Sequence, residues 1–217
     1  MAGIQVPLVR KEMTEPNLAE QGAFGLGDIE LTAKLFFWPG SDAGYRRHLF
    51  GILAGLRFPT SRTEQDGTGA PLAIEAQPGT GAWAGNIGGW YGYYRNPWSM
   101  HLTVYAHLPS EGRLQYEAGK AFLASGTLQY QIVRQVAVQA GLDTRWSRRD
   151  REGGVIQPNS GGAILFVSPG VIWSPIEDFL VHVIARIPAA NGLNGSHQEG
   201  VYIQGGMIYD FSTTKTP

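Results

Sequence analysis

The chain contains no cysteine. Disulfide scaffolds and thiolate metal centres are therefore excluded. A cysteine-free chain also avoids mispairing in an oxidising periplasm. No run of 18 or more apolar residues occurs, so no helix can span a bilayer. Charge is scarce: Asp, Glu, Lys and Arg make up 16% of the residues, against roughly 25% in soluble domains. The signs nearly cancel, at a formal net charge of −1, and no basic block appears. Nucleic acid is thereby excluded as the main partner. The opening MAGIQVPLVRKEM lacks the charged start and long apolar core of a signal peptide. An exported protein needs one, so the numbering is expected to describe a processed or truncated chain.

What the chain does have is glycine, aromatic residues and alternation. Its 217 residues suffice for one domain with a sizeable core, and 1–217 is read as a single domain. The organising stretch is 25–38, GLGDIELTAKLFFW. Ile29, Leu31, Ala33, Leu35 and Phe37 fall on one parity; Asp28, Glu30, Thr32 and Lys34 fall on the other. A strand turns successive side chains to opposite faces, so one face is apolar and the other carries charge. About 12 residues of such alternation exceed an ordinary strand and match the roughly 9 to 11 needed to cross a bilayer at a tilt.

Similar alternation recurs along the chain. A short apolar piece at 4–9 reads as the remaining part of a first strand, and 10–23 as a polar loop. Further strands are expected at 45–58, 82–94, 98–108, 116–132, 135–146, 162–173, 179–187 and 201–211, which gives about ten in all. Pro169 falls inside one of them, where a bulge is expected because a central ladder disfavours proline. The connections alternate in kind. PGSDAG at 39–44, Asn96-Pro97, a turn near Arg134 and 175–178 are short, whereas 59–81, the segment after Leu108, 147–161 and 189–200 are longer and polar. Short turns alternating with longer external loops are the habit of outer-membrane barrels. The outward aromatics Phe37, Tyr93, Tyr130, Trp173, Phe179, Tyr209 and Phe211 all fall at the short-turn end, as an interfacial belt requires. The fold class expected is all-β: an antiparallel transmembrane β-barrel of about ten strands in a bacterial outer membrane. The very short start leaves room for further strands.

Several segments also carry a resemblance: FGLGDIEL, LRFPTS, QPGTGAW, SPGVIW, and ARIPAANGLNG leading to GGMIYDF. In this order and spacing, from about Val6 to Phe211, they resemble a family of outer-membrane β-barrels. That family is labelled as meta-pathway phenol-degradation proteins, or as transporters. The resemblance implies an outer-membrane barrel serving uptake of small aromatic or hydrophobic compounds. It carries over no residue-level functional motif.

The chemistry on offer is that of a polar lining. His101 and His107 share the inward parity of one strand, six residues and so about 20 Å apart, too far for joint metal ligation. His182 with Ser168 is the one pair from which a hydrolase site could be drawn, and nothing supplies a third partner or an oxyanion hole. No catalytic residue, metal site or cofactor is assigned. The inward, lumen-lining set is Asp28, Glu30, Lys34, Arg57, His101, His107, Glu117, Asp143, Arg145, His182, Arg186 and Asp210. A barrel of about ten strands is narrow, and buried charges must pair. Counting back from a turn at 39–44 sets Asp28 opposite Gly55, with Arg57 as its diagonal partner and Glu30 as the second choice. The loop motifs DGTGAP and DREGG match neither an EF-hand nor a phosphate-binding loop and read as flexible external loops.

Two functions stay open. One is a narrow passive channel or transporter for small, aromatic or hydrophobic solutes. The other is a scaffold barrel that anchors partner proteins in the outer membrane. The partners expected are the lipid bilayer, a small-molecule solute and outer-membrane proteins.

Overall fold

The computed structural model describes residues 1–14, 20–37, 47–196 and 198–209. Among these, ten strands form one antiparallel sheet: β1 (Ala2–Gln5), β4 (Glu30–Phe37), β5 (His48–Arg57), β6 (Ala84–Arg95), β7 (Trp98–Pro109), β9 (Ala121–Val133), β10 (Val136–Ser147), β13 (Gly162–Ile176), β14 (Phe179–Leu193) and β15 (Tyr202–Tyr209). They lie in that order, each beside its neighbour in sequence. Side chains contributed from β1 round to β10 line one cavity, so the sheet curls about an interior. The ladder is open between β1 and β15, and the sheet is therefore not a closed ring among the described residues.

Alternation of exposed and inward residues is clearest in β5, β10 and β13. In β5 each residue from His48 to Leu56 on one parity is exposed, while Leu49, Gly51, Leu53, Gly55 and Arg57 turn inward. Leu35, Phe37, Ile52, Ile87, Leu142 and Val171 all stand exposed on the outer face. A soluble domain does not leave so long a row of large apolar side chains in water.

Four expectations need correction. The stretch 25–38 is not one strand. Gly25 and Leu26 end β3 (Glu20–Leu26), which pairs with β2 (Leu8–Thr14), so the expected loop at 10–23 contains a hairpin among its described residues. Gly27 then packs so tightly on Pro7 that a Cβ would lie 2.9 Å from its ring, and the wall begins at Glu30. The strand expected over 116–132 is also divided. Tyr116–Glu117 forms β8, which pairs with β11 (Arg151–Glu152), itself paired with β12 (Val155–Ile156), in a small sheet outside the wall. The chain bends at Gly119, where a Cβ would meet the Arg148 carbonyl at 1.9 Å.

The bulge lies elsewhere than at Pro169. On the β10 side Pro169 faces Ala140 in unbroken register, and on the β14 side the shifts fall at Leu165/Phe166 and Trp173/Ile176. Pro169 shares the outward parity of Val167 and Val171, so the wall absorbs a missing N–H locally without slipping. Finally, β14 continues to Leu193 and shortens the loop expected at 189–200. The turn at 39–44, Asp210 and Phe211 lie outside the described residues.

Short and long connections do segregate. The described turns Arg95–Trp98, Val133–Val136 and Ile176–Phe179 fall at one end. Residues 58–83, 110–120, 148–161 and the β2–β3 hairpin fall at the other.

Candidate functional site

The long-connection end is capped by folded chain, contrary to the expectation of flexible loops. Asp28, expected to line the wall, is instead a buried anchor for this cap. Its carboxylate accepts the Ser61 N–H at 3.0 Å and the Gly81 N–H at 3.0 Å, groups 33 and 53 residues away in sequence. Thr60 accepts the Ile29 N–H at 2.9 Å. Arg113 donates to the Ser61 hydroxyl at 3.2 Å and also to its carbonyl. Gln77 is fully buried and is bonded to the backbone of Glu64 and Leu72. Leu72 and Ala76 pack on Ala23 of the hairpin. In the motif DGTGAP, Asp66 accepts from Thr68 and Ala70, bonds that hold its carboxyl below the usual carboxylate range. Glu117 belongs to the small sheet of this cap, not to the wall. Nearby, Tyr116 donates to Asp150 at 2.6 Å, and burial together with that carboxylate pushes the phenol well above its ordinary pKa.

Below the cap lies a cavity of about 680 Å³, lined by Glu30, Arg57, Asn86, Tyr105, His107 and Arg145 among others. The β4–β5 register sets Glu30 opposite Arg57 and Thr32 opposite Gly55, where the expected alignment had Asp28, a shift of four residues. Parity is unchanged, because a slip by an even number of residues keeps inward residues opposite inward residues. Arg57 therefore pairs with Glu30, not Asp28: Nη2 lies 2.9 Å and Nε 3.2 Å from Oε2. The other Glu30 oxygen accepts from Asn86 at 2.7 Å. That amide turns its oxygen to His107 Nδ1 at 2.7 Å, so the imidazole carries its proton on Nδ1. One chain of polar groups thus crosses β4, β5, β6 and β7.

A second group faces it. Ser168 donates to Asp143, whose carboxylate lies 3.7 Å from Arg186 Nε. Arg186 Nη1 donates to the Tyr202 hydroxyl at 2.9 Å. Arg145 pairs with Glu199 of the loop before β15. Asp143, Arg145, Arg186 and Tyr202 border a smaller cavity of about 180 Å³. Ser168 is thus committed to Asp143, and His182 sits opposite Ile172 on one side and Gly206 on the other, so the Ser–His pair does not form.

Towards the short-turn end the interior becomes aromatic. Lys34 Nζ lies 3.5 Å from the Trp90 ring centre and 4.8 Å from that of Phe36. His101 lies 5.9 Å from Trp90 and 5.4 Å from Tyr94 between ring centres. Ser99, Gln129 and Gln139 form a hydrogen-bonded ladder across β7, β9 and β10.

Of the expected lining, Glu30, Lys34, Arg57, His101, His107, Asp143, Arg145, His182 and Arg186 lie on wall strands. Asn86, Trp90, Tyr105 and Tyr202 were missing from it. The inward parity of β6, β7 and β15 carries the signal for all four. Glu199 sits in a loop, where no periodicity could mark it.

Comparison with solved structures finds the fold in a known protein. An outer membrane channel from Pseudomonas putida F1 superposes with a TM-score of 0.67 at 17% sequence identity. The match covers 87% of this chain and 67% of that one. At that identity the likeness establishes a shared fold. No curated protein matches the chain. Residues 2–187 match the family described as "Putative MetA-pathway of phenol degradation", and the chain belongs to that family, whose resemblance its Gly- and Pro-rich segments carry.

Proposed function

We propose that residues 1–217 form a single transmembrane β-barrel domain of about ten strands in a bacterial outer membrane. In this reading it is a narrow passive channel for small solutes, aromatic or hydrophobic ones among them, and not an enzyme. The observation that carries the reading is the two-sided wall. Exposed large apolar side chains cover the outer face, while ion pairs, amides and a cavity of about 680 Å³ occupy the inner one. Only lipid makes the first arrangement stable, and only a hydrated or solute-bearing interior gives the second a use. The folded cap stands at the external mouth in this orientation, as long loops do in such barrels.

Paired charges and a folded cap also suit a scaffold barrel with a filled interior. Reconstitution in liposomes separates the two. Flux of small solutes, or conductance in planar bilayers, is the expected result. A folded, inserted protein that passes neither ions nor solutes refutes the channel and leaves the scaffold.

A further inference from the structure

Among the described interior residues the charges balance except at one place. Arg57 pairs with Glu30, Arg145 with Glu199 and Arg186 with Asp143, three cations against three carboxylates. Asp28 is consumed by backbone N–H groups of the cap. Lys34 is left. Among the described residues no carboxylate lies within 4.0 Å of its ammonium, and its contacts are the faces of Trp90 and Phe36. Glu30, four residues earlier on the same strand, is held by Arg57 and Asn86. Among the described residues the paired groups therefore cancel and Lys34 is left over, a positive charge in the aromatic tier towards the short-turn mouth.

Aromatic faces stabilise an ammonium without neutralising it, because a ring offers a quadrupole and no net charge. The Lys34 head remains a source of positive potential with donors to spare. The tier around it, formed by Phe36, Trp90, Tyr94 and His101, is aromatic and flat-sided. In such surroundings water screens a charge less than it does at a free surface. An arriving cation is repelled there and an arriving anion is held.

We propose that Lys34 is the selectivity determinant of this interior and that it makes the pathway prefer small anions, carboxylates and halides, over cations. The inference rests on the channel reading, since it concerns which ions the pathway passes. A unit charge at close range in water changes local ion occupancy about fivefold. With chloride raised and potassium lowered by that factor each, wild-type protein in a planar bilayer under a potassium chloride gradient should show a chloride-to-potassium permeability ratio of about 25. Lys34→Gln should bring the ratio close to one, and Lys34→Arg should restore most of it. Lys34→Met, which keeps the apolar stem on Trp90, serves if the Gln variant does not fold, and should behave as Gln does. A wild-type ratio at or below one overturns the assignment, as does a ratio unchanged in Lys34→Gln or Lys34→Met. Either of those results leaves a conducting channel and so leaves the channel reading standing. A folded protein that conducts no ion at all removes both.

Discussion

Removing Arg57 tests the packed interior most directly. Its guanidinium holds one oxygen of Glu30 through two contacts, and the other Glu30 oxygen is held by Asn86. The two partners are unequally buried: the Arg57 side chain keeps 36% of its exposure and Glu30 only 14%. Breaking a fully buried pair by deleting one partner costs about 3 to 5 kcal/mol, and a surface pair is worth about 0 to 1. Arg57→Ala strands the deeper member, a carboxylate left with one amide, so a loss of about 2 to 3 kcal/mol is expected, between those limits. Glu30→Gln leaves the shallower member, which can turn to water. It should cost about 1 kcal/mol, near the surface value. The double variant should be less damaged than the sum by about 1 kcal/mol or more, since the two side chains share one contact. Urea unfolding in detergent micelles, read by the shift of the folded band on unheated gels, measures all three. Strict additivity, or a larger loss in Glu30→Gln than in Arg57→Ala, refutes the reasoning. Asp28→Ala combined with Arg57→Ala is the contrasting case, and these two should add.

The other expectations rest on separate parts of the molecule. Gly88→Ala places a Cβ 2.1 Å from the Val104 carbonyl, whereas Gly85→Ala meets nothing within 4 Å. Heat-modifiability gels should show Gly88→Ala unfolding at a markedly lower temperature and Gly85→Ala unchanged. Leu142→Arg puts a charge on the outer face near the middle of β10, and refolding into vesicles should lose about 2 to 4 kcal/mol, a penalty absent if that face meets water. Asp28→Ala releases the backbone of Ser61 and Gly81. Trypsin added to whole cells should then cut at Arg62 faster than in wild type, and cutting only after the outer membrane is opened reverses the orientation. Tyr116 has its pKa raised in the fold, by burial first and then by Asp150. Its stabilising contribution is complete below the unfolded value of about 10 and fades as pH rises from there through the folded value. A tyrosinate titration should show a late-ionising phase to which Tyr116 contributes, and Tyr116→Phe should shrink that phase by one phenol.

Sequence alone determined which face each strand residue occupies, because side-chain direction follows from a period of two that no distant contact can change. Leu35, Ile52 and Leu142 could be assigned outward, and Lys34, Asp143 and Arg186 inward, before any pairing was known. The number of wall strands followed from the same period, and the separation of short from long connections from their lengths. Register was a different matter. A four-residue slip between β4 and β5 preserves every parity, so only the tertiary structure chose Glu30 over Asp28 as the partner of Arg57. The role of Asp28 was also beyond local reading, since its partners are backbone N–H groups of Ser61 and Gly81 on a loop that reads as polar filler. Buried Gln77 and the Leu72–Ala76–Ala23 contact turn that loop into a folded cap. Glu117 left the wall because Gly119 lets the backbone approach Arg148, a steric event between two loops. Alternation is written into each strand; the alignment of strands and the folding of loops over them arise from contacts between residues far apart in the chain.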